Sequence, residues 1–186
     1  PLEMFDPHEL RSGITQSQID QMRELDWIDH RTNLLFLGPP GTGKTMLSIG
    51  YGLLAVERGY TVCFERMVNL VKILDEAPEN RLQSFRLKNI MKASLVIIDE
   101  IGYTSITREQ ADKFFVLISE LYAQSSVVFT TNKDIAEWAE LFGDPVLTQA
   151  LLDRILHHAR CFSLDGDSYR LKHPELFVGI EGDGSL

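Results

Sequence analysis

Cysteine is nearly missing from this sequence. The two present, Cys63 and Cys161, lie in separate β-like runs with no metal-ligand spacing around them. That argues against a disulfide-stapled scaffold or a zinc site and reads as buried free thiols. Long apolar runs are lacking too. The longest, such as "SLVII", fall far short of the roughly 20 residues that a membrane helix requires, and the opening "PLEMFDPHEL" has acids where a secretory leader has a basic region. A soluble cytoplasmic protein without membrane partners is expected. The chain opens on Pro1 rather than Met, as a trimmed or processed product would. No Pro/Gly/Ser-rich linker and no repeat divides the 186 residues, so one domain around one substantial core is expected. An excess of basic residues is absent as well. The net charge of -9 argues against a generic nucleic-acid coat and confines any DNA contact to a local patch.

What is present is alternation. "NLLFLG" (33–38), "YTVCFE" (60–65), "SLVIID" (94–99), "SVVFTTN" (126–132) and "CFSLDG" (161–166) are short apolar runs of the kind expected for parallel strands covered on both faces. Helix signals fill the gaps. Thr107 with Gln110 and Asp134 with Glu137 fit capping boxes, and Asp144 before Pro145 fits an N-cap with proline at the first helical position. The pattern predicts a doubly wound α/β sandwich with helices on both faces of a five-stranded parallel sheet. Trp27 and Trp138 are read as packing residues.

"GPPGTGKT", residues 38–45, satisfies G-x-x-x-x-G-K-[ST] and lies between an apolar strand and the helix pattern "MLSIGYGLLAVE". Glycines let the main chain approach a phosphate, so the N–H groups from Gly41 to Thr45 can wrap a β-phosphate at a helix N-terminus. Lys44 is placed to reach the β- and γ-phosphates and Thr45 to ligate Mg²⁺. The expected nucleotide contacts are Gly38, Pro39, Pro40, Gly41, Thr42, Gly43, Lys44, Thr45 and Met46. "LVIIDE" (95–100) supplies the complementary half, with Asp99 beside the metal and Glu100 near the γ-phosphate to orient and polarise a water, which predicts Mg-ATP hydrolysis. In "VVFTTN" the amide of Asn132 can bond both γ-phosphate and water, a plain turn-forming Asn being the alternative.

Two cationic features remain. Winding residues 146–159 as a helix puts Leu147, Leu151, Ile155 and Ala159 on one apolar arc, with Arg154 inside its edge and in need of a partner. "RLQSFRLKNIMK" concentrates Arg81, Arg86, Lys88 and Lys92, and helical spacing puts Arg81, Lys88 and Lys92 on one side. That face is read as a DNA-phosphate contact, a solvated helix face being the alternative.

"GPPGTGKT", "VIIDEIGY", "TREQADKFF", "TNKDIAEWAELFGDPVLTQALLDRILHHA" and "DGDSYRLK" together resemble the IstB-type helper ATPases of insertion-sequence transposition, relatives of the helicase loader DnaC within the AAA+ class. The resemblance covers nearly all of residues 5–173. It implies an AAA+ domain with sheet order 5-1-4-3-2, taken to span 1–175, while the end "GIEGDGSL" has no periodicity and is read as part of a flexible tail over 176–186. It also implies ATP-dependent self-assembly on duplex DNA and delivery of that DNA to a cognate transposase. A helicase loader switched by ATP is the second function it admits. The resemblance aligns Arg154 with the arginine that AAA+ proteins point into a neighbouring subunit's ATP, with a salt bridge inside the monomer, to Asp153 or another acid, as the alternative. Two departures accompany it. The family's upstream helical segment is not in this chain, and the lid is reduced or absent, with Arg170 the one candidate for a lid arginine.

Overall fold

A computed structural model describes residues 13–165 of the chain. In chain order its elements are α1 (Gln16–Met22), α2 (Asp26–Asp29), β1 (Asn33–Leu37), α3 (Lys44–Glu57), β2 (Val62–Arg66), α4 (Met67–Glu76), α5 (Arg81–Lys92), β3 (Leu95–Ile101), α6 (Arg108–Leu121), β4 (Ser126–Thr131), a 3₁₀ turn (Ile135–Glu137), α7 (Trp138–Phe142), α8 (Pro145–Leu156) and β5 (Ala159–Ser163). Every strand pairing is parallel, in the order β2-β3-β4-β1-β5, which is the implied 5-1-4-3-2 read from the other edge. The three expected caps form as written: Thr107 and Asp134 close capping boxes, and the Asp144 carboxylate accepts from the N–H groups of Val146 and Leu147 ahead of α8.

Alternation along the buried strands divides the core between the two faces. Leu35, Val96, Ile98 and Phe129 meet Phe114, Leu117, Trp138, Leu151 and Ile155 from α6, α7 and α8. Leu34, Phe36, Ile97 and Val128 meet Trp27, Leu47 and Tyr51 from α2 and α3 on the other side. Both tryptophans are fully buried, and truncating a side chain of that size in a core costs about 3–5 kcal/mol. Among the described residues no helix is long and apolar enough to cross a membrane.

Two expectations change. The helix wound to Ala159 stops at Leu156, and Ala159 instead begins β5 opposite Asn33. The edge strands are not covered on both faces: Cys161 in β5 is exposed and Cys63 in β2 is only half-buried. A strand at the margin has one neighbour, and the helices of a twisted sheet reach over it incompletely. Because β2 and β5 are opposite edges, the two thiols are far apart.

Asn33 ties the beginning of β1 to its surroundings. Its side-chain amide donates to the Ile155 carbonyl at 3.0 Å and accepts from the Val127 N–H at 2.9 Å, while its own N–H donates to the His158 carbonyl at 2.6 Å. The last turn of α8 is thereby fixed to the end of the sheet where the strands begin.

Candidate nucleotide site

At the other end, where the strands finish, the chain leaves β1 at Leu37. It turns through left-handed backbone at Gly41 (φ 82°) and Gly43 (φ 88°), conformations glycine adopts without a Cβ clash. Gly43 stands at the N-cap of α3 and offers no side-chain oxygen, so the first N–H groups of this 14-residue helix are left for an anion. Lys44 is nearly buried, and its Nζ donates to the carbonyls of Gly38 (2.7 Å) and Pro39 (2.6 Å). The ammonium is thus held against the loop that a phosphate would enter. Thr42 Oγ1 donates to Pro39 O at 2.9 Å, bracing the same turn.

Fifty-four residues on, the second half of the site meets the first. The Thr45 hydroxyl donates to both oxygens of Asp99, at 3.0 and 3.1 Å. Asp99 is fully buried, and its other side-chain partner is the Thr130 hydroxyl, which donates to Oδ1 at 2.5 Å. Among the described residues no cation pairs with this carboxylate. A buried anion served only by neutral hydroxyls lacks a counter-charge. Hard oxygen donors around such a deficit suit a divalent ion such as Mg²⁺, with Thr45 and Asp99 as the residues able to hold it.

Beside Asp99 the ladder between β3 and β4 slips between Ile98 and Ile101, and Glu100 takes φ 64°. This bulge re-aims the strand end, and left-handed backbone at a residue other than glycine is strain that the surroundings must hold. They do so through Thr130, whose Oγ1 accepts the Glu100 N–H at 2.9 Å while its hydroxyl proton goes to Asp99. Thr130 therefore couples both acidic residues from the neighbouring strand. Glu100 itself is half-exposed and faces Arg66, the last residue of β2, at 3.6 Å. A pair this exposed is worth about 0–1 kcal/mol and can be exchanged readily. Neither Thr130 nor Arg66 carries a sequence signal of its own: Thr130 is the first of two threonines at the end of β4, and Arg66 follows Glu65 at the end of β2.

Asn132 follows β4, the strand lying between β1 and β3, and its Oδ1 is buried with no hydrogen-bond partner. The atom lies against Gly102, just after β3, and a buried acceptor with no protein partner suits a donor from outside the chain. Met46 is half-buried against the α3 side of the core.

The remaining cations lie elsewhere. Arg154, in the last turn of α8, stacks its guanidinium carbon 4.5 Å from the centroid of the Phe115 ring and donates from Nη1 to its own helix at Ala150 O, 3.1 Å. It has no ion pair among the described residues, to Asp153 or any other acid. Since Asn33 fixes the neighbouring Ile155 carbonyl to the beginning of β1, and β1 advances ~3.3 Å per residue, roughly 13 Å of strand separates this corner from the phosphate loop. On α5, Arg81, Lys88 and Lys92 are exposed, while Arg86 donates to Glu65 at 2.6 Å. Arg170 lies outside the described residues.

The chain matches the model of the IstB-like ATP binding protein family over residues 2–176. It is 41% identical over 172 residues to the ATP-binding protein of insertion sequence IS21 from Pseudomonas aeruginosa, covering 92% of this chain and 64% of that protein. It is 42% identical over 165 residues to the corresponding protein of IS232 from Bacillus thuringiensis, covering 88% and 66%. The chain thus spans just under two thirds of the length of these relatives. Among solved structures, the crystal structure of the DnaC helicase loader superposes with a TM-score of 0.69 at 17% identity, covering 88% of this chain and 96% of that one, a likeness of fold. A phosphate-loop motif joined to a buried carboxylate at one end of a five-stranded parallel sheet, carried by a sequence of this kinship, makes the chain a member of the IstB-like ATP binding protein family.

Proposed function

We propose that this chain is the ATPase module of a transposition regulator: it hydrolyses Mg-ATP within an assembly of like copies on duplex DNA and, in its full-length form, delivers that DNA to a transposase. The observation that carries the reading is the Thr45–Asp99 contact, which joins the phosphate loop to a buried carboxylate in need of a cation. Family membership favours transposition over helicase loading.

In this reading the N–H groups from Gly41 to Thr45 and the Lys44 ammonium hold the β- and γ-phosphates. Thr45 and Asp99 hold Mg²⁺, which when bound draws charge from the phosphate oxygens. Glu100 leaves Arg66, orients a water and takes up its proton, and Asn132 accepts a hydrogen bond from the same water. Arg154, remote from the phosphate loop of its own copy, completes the site of a neighbour by neutralising charge on the transferring phosphoryl group. The exposed side of α5 bearing Arg81, Lys88 and Lys92 meets DNA phosphates.

Variants of the full-length protein test the division of labour. Lys44→Ala should weaken binding of a fluorescent ATP analogue. Glu100→Gln and Arg154→Ala should keep that binding and lose turnover, the arginine by about 10³- to 10⁵-fold if it acts as a finger. Mixing the Glu100→Gln and Arg154→Ala proteins should restore part of the activity, because an intact Arg154 from one then serves an intact Glu100 in the other. Mixed assemblies that form and stay inactive at every ratio would reject action between copies.

A further inference from the structure

The beginning end of the sheet contains a second arginine. Arg31 and Arg154 line one narrow cleft, about 20 Å³, together with Asn33, Tyr122 and His158, and no carboxylate is among its lining residues. Neither arginine has an ion pair among the described residues. In a chain of net charge -9, two guanidiniums around one opening without an acid form a local deficit of negative charge.

The backbone at Arg31 makes this more pointed. Its N–H donates to Ile28 O at 3.0 Å and the Thr32 N–H donates to Trp27 O at 2.8 Å, the crossed pair that closes a helix end through a left-handed residue. Glycine is the residue suited to that position, yet Arg31 occupies it at φ 53°. Local folding therefore gives no reason for a long side chain here, and the guanidinium is what the position adds. Asn33 holds the two arginines in one frame, since it follows Arg31 by two residues and bonds the carbonyl next to Arg154.

We propose that Arg31 is a second trans-acting arginine, which with Arg154, and with His158 at the rim, receives a phosphate dianion: the γ-phosphate of ATP on a neighbouring copy. This rests on the reading that Arg154 acts between copies. The cleft has room for about one water, so the anion sits at its mouth, where a group protruding from an adjacent subunit can seat. Two planar forks suit a terminal phosphate, with three free oxygens and nearly two charges, better than a DNA diester with two oxygens and one charge.

The position permits a clean test, because Arg31→Gly removes the guanidinium while relieving the backbone. In the full-length protein assembled with DNA, Arg31→Gly should keep or raise Tm, bind a fluorescent ATP analogue and DNA as before, and lose about 10²-fold in ATP turnover; Arg31→Lys should restore part of the loss. Mixing with Glu100→Gln should recover activity, whereas mixing with Arg154→Ala should not, since both lesions then fall on the donor surface. Wild-type turnover in Arg31→Gly, beside a failing Arg154→Ala that Glu100→Gln rescues, overturns the proposal and leaves the trans reading intact. Failure of that rescue in assemblies that form removes both. A loss of DNA affinity in Arg31→Gly would assign the anion to the DNA backbone and overturn the proposed occupant.

Discussion

The two ends of the sheet are built on opposite terms. Where the strands finish, polar groups are tied to one another around a carboxylate that lacks a counter-charge: Thr45, Asp99, Thr130 and the Glu100 N–H form one connected set, and Lys44 rests on carbonyls of its own loop. Where the strands begin, Arg31 and Arg154 share a cleft and no acid answers them. The connected set of the first end lies within a single copy; the second end presents two guanidiniums that pair with no acid among the described residues. On the proposed reading, the difference marks which half of the catalytic apparatus a subunit keeps and which half it lends.

The connected end breaks most readily at Thr130. Thr130→Val keeps the shape but strands the Glu100 N–H and removes a donor from buried Asp99, a loss of about 1–3 kcal/mol. Unfolding followed by calorimetry should show Tm lower by roughly 2–4 °C for each kcal/mol, with turnover reduced alongside it, and Thr130→Ser should restore both. Equal stability of the valine variant would show that the bridge holds nothing together.

A smaller effect sharpens the description of the other end. Lys92 closes α5 just ahead of Leu95, the first residue of β3, and so lies at the end where the strands begin. If Lys88 and Lys92 each neutralise one DNA phosphate, replacing both by Ala should lower DNA affinity at every sequence and flatten the salt slope by about 1.8. Recovery of turnover in the Glu100→Gln and Arg154→Ala mixture should be unaffected at saturating DNA. An unchanged slope would take these lysines out of the interface and leave the cleft arginines as the cationic feature of that end.

The smallest effect concerns an ion pair belonging to neither end. Lys113 and Gln110 hydrogen-bond the Asp75 carboxylate and hold its titration below the ordinary range. A depressed carboxylate stabilises the fold above its unfolded value, near pH 4, and loses that contribution as pH falls through the folded value. Asp75→Asn should therefore lower Tm slightly at pH 7, and the gap from wild type should shrink below about pH 4. A gap independent of pH would mean that the carboxylate charge contributes nothing.

What the sequence made legible was local. The glycine-rich loop between β1 and α3 and the caps of α6 and α8 depend on residues a few positions apart and lie where their patterns place them, whereas the two acids expected to end β3 are followed by Ile101 within the same strand. The strand order came through family resemblance rather than from periodicity. Contacts set by register stayed hidden: Thr130 lies 31 residues from Asp99, and its role exists only because β4 is seated beside β3 with a bulge between them. Arg31 was hidden for another reason. It ends a helix of four residues, too short to display a period, and arginine gives no warning of the left-handed backbone that glycine would have announced. Arg154 is conspicuous in the sequence because it falls inside the edge of an apolar arc, and its partner in the structure is an aromatic ring rather than an acid.

The seating of β1 sets an order in time. Among the described residues it pairs with β4 and β5, both made later, so Leu34 must wait for Val128 and Leu35 for Cys161. Parallel pairings across such separations form slowly, because a long stretch of chain must close before any contact rewards it. During synthesis the loop after β1 is made well before β4 and β5, the two strands that flank β1 in the sheet. β5 also bears on the loop directly, since the Leu164 N–H just beyond it donates to the Leu37 carbonyl at 2.7 Å; the end of β1 from which the loop departs is held from both sides only once the last strand is in place.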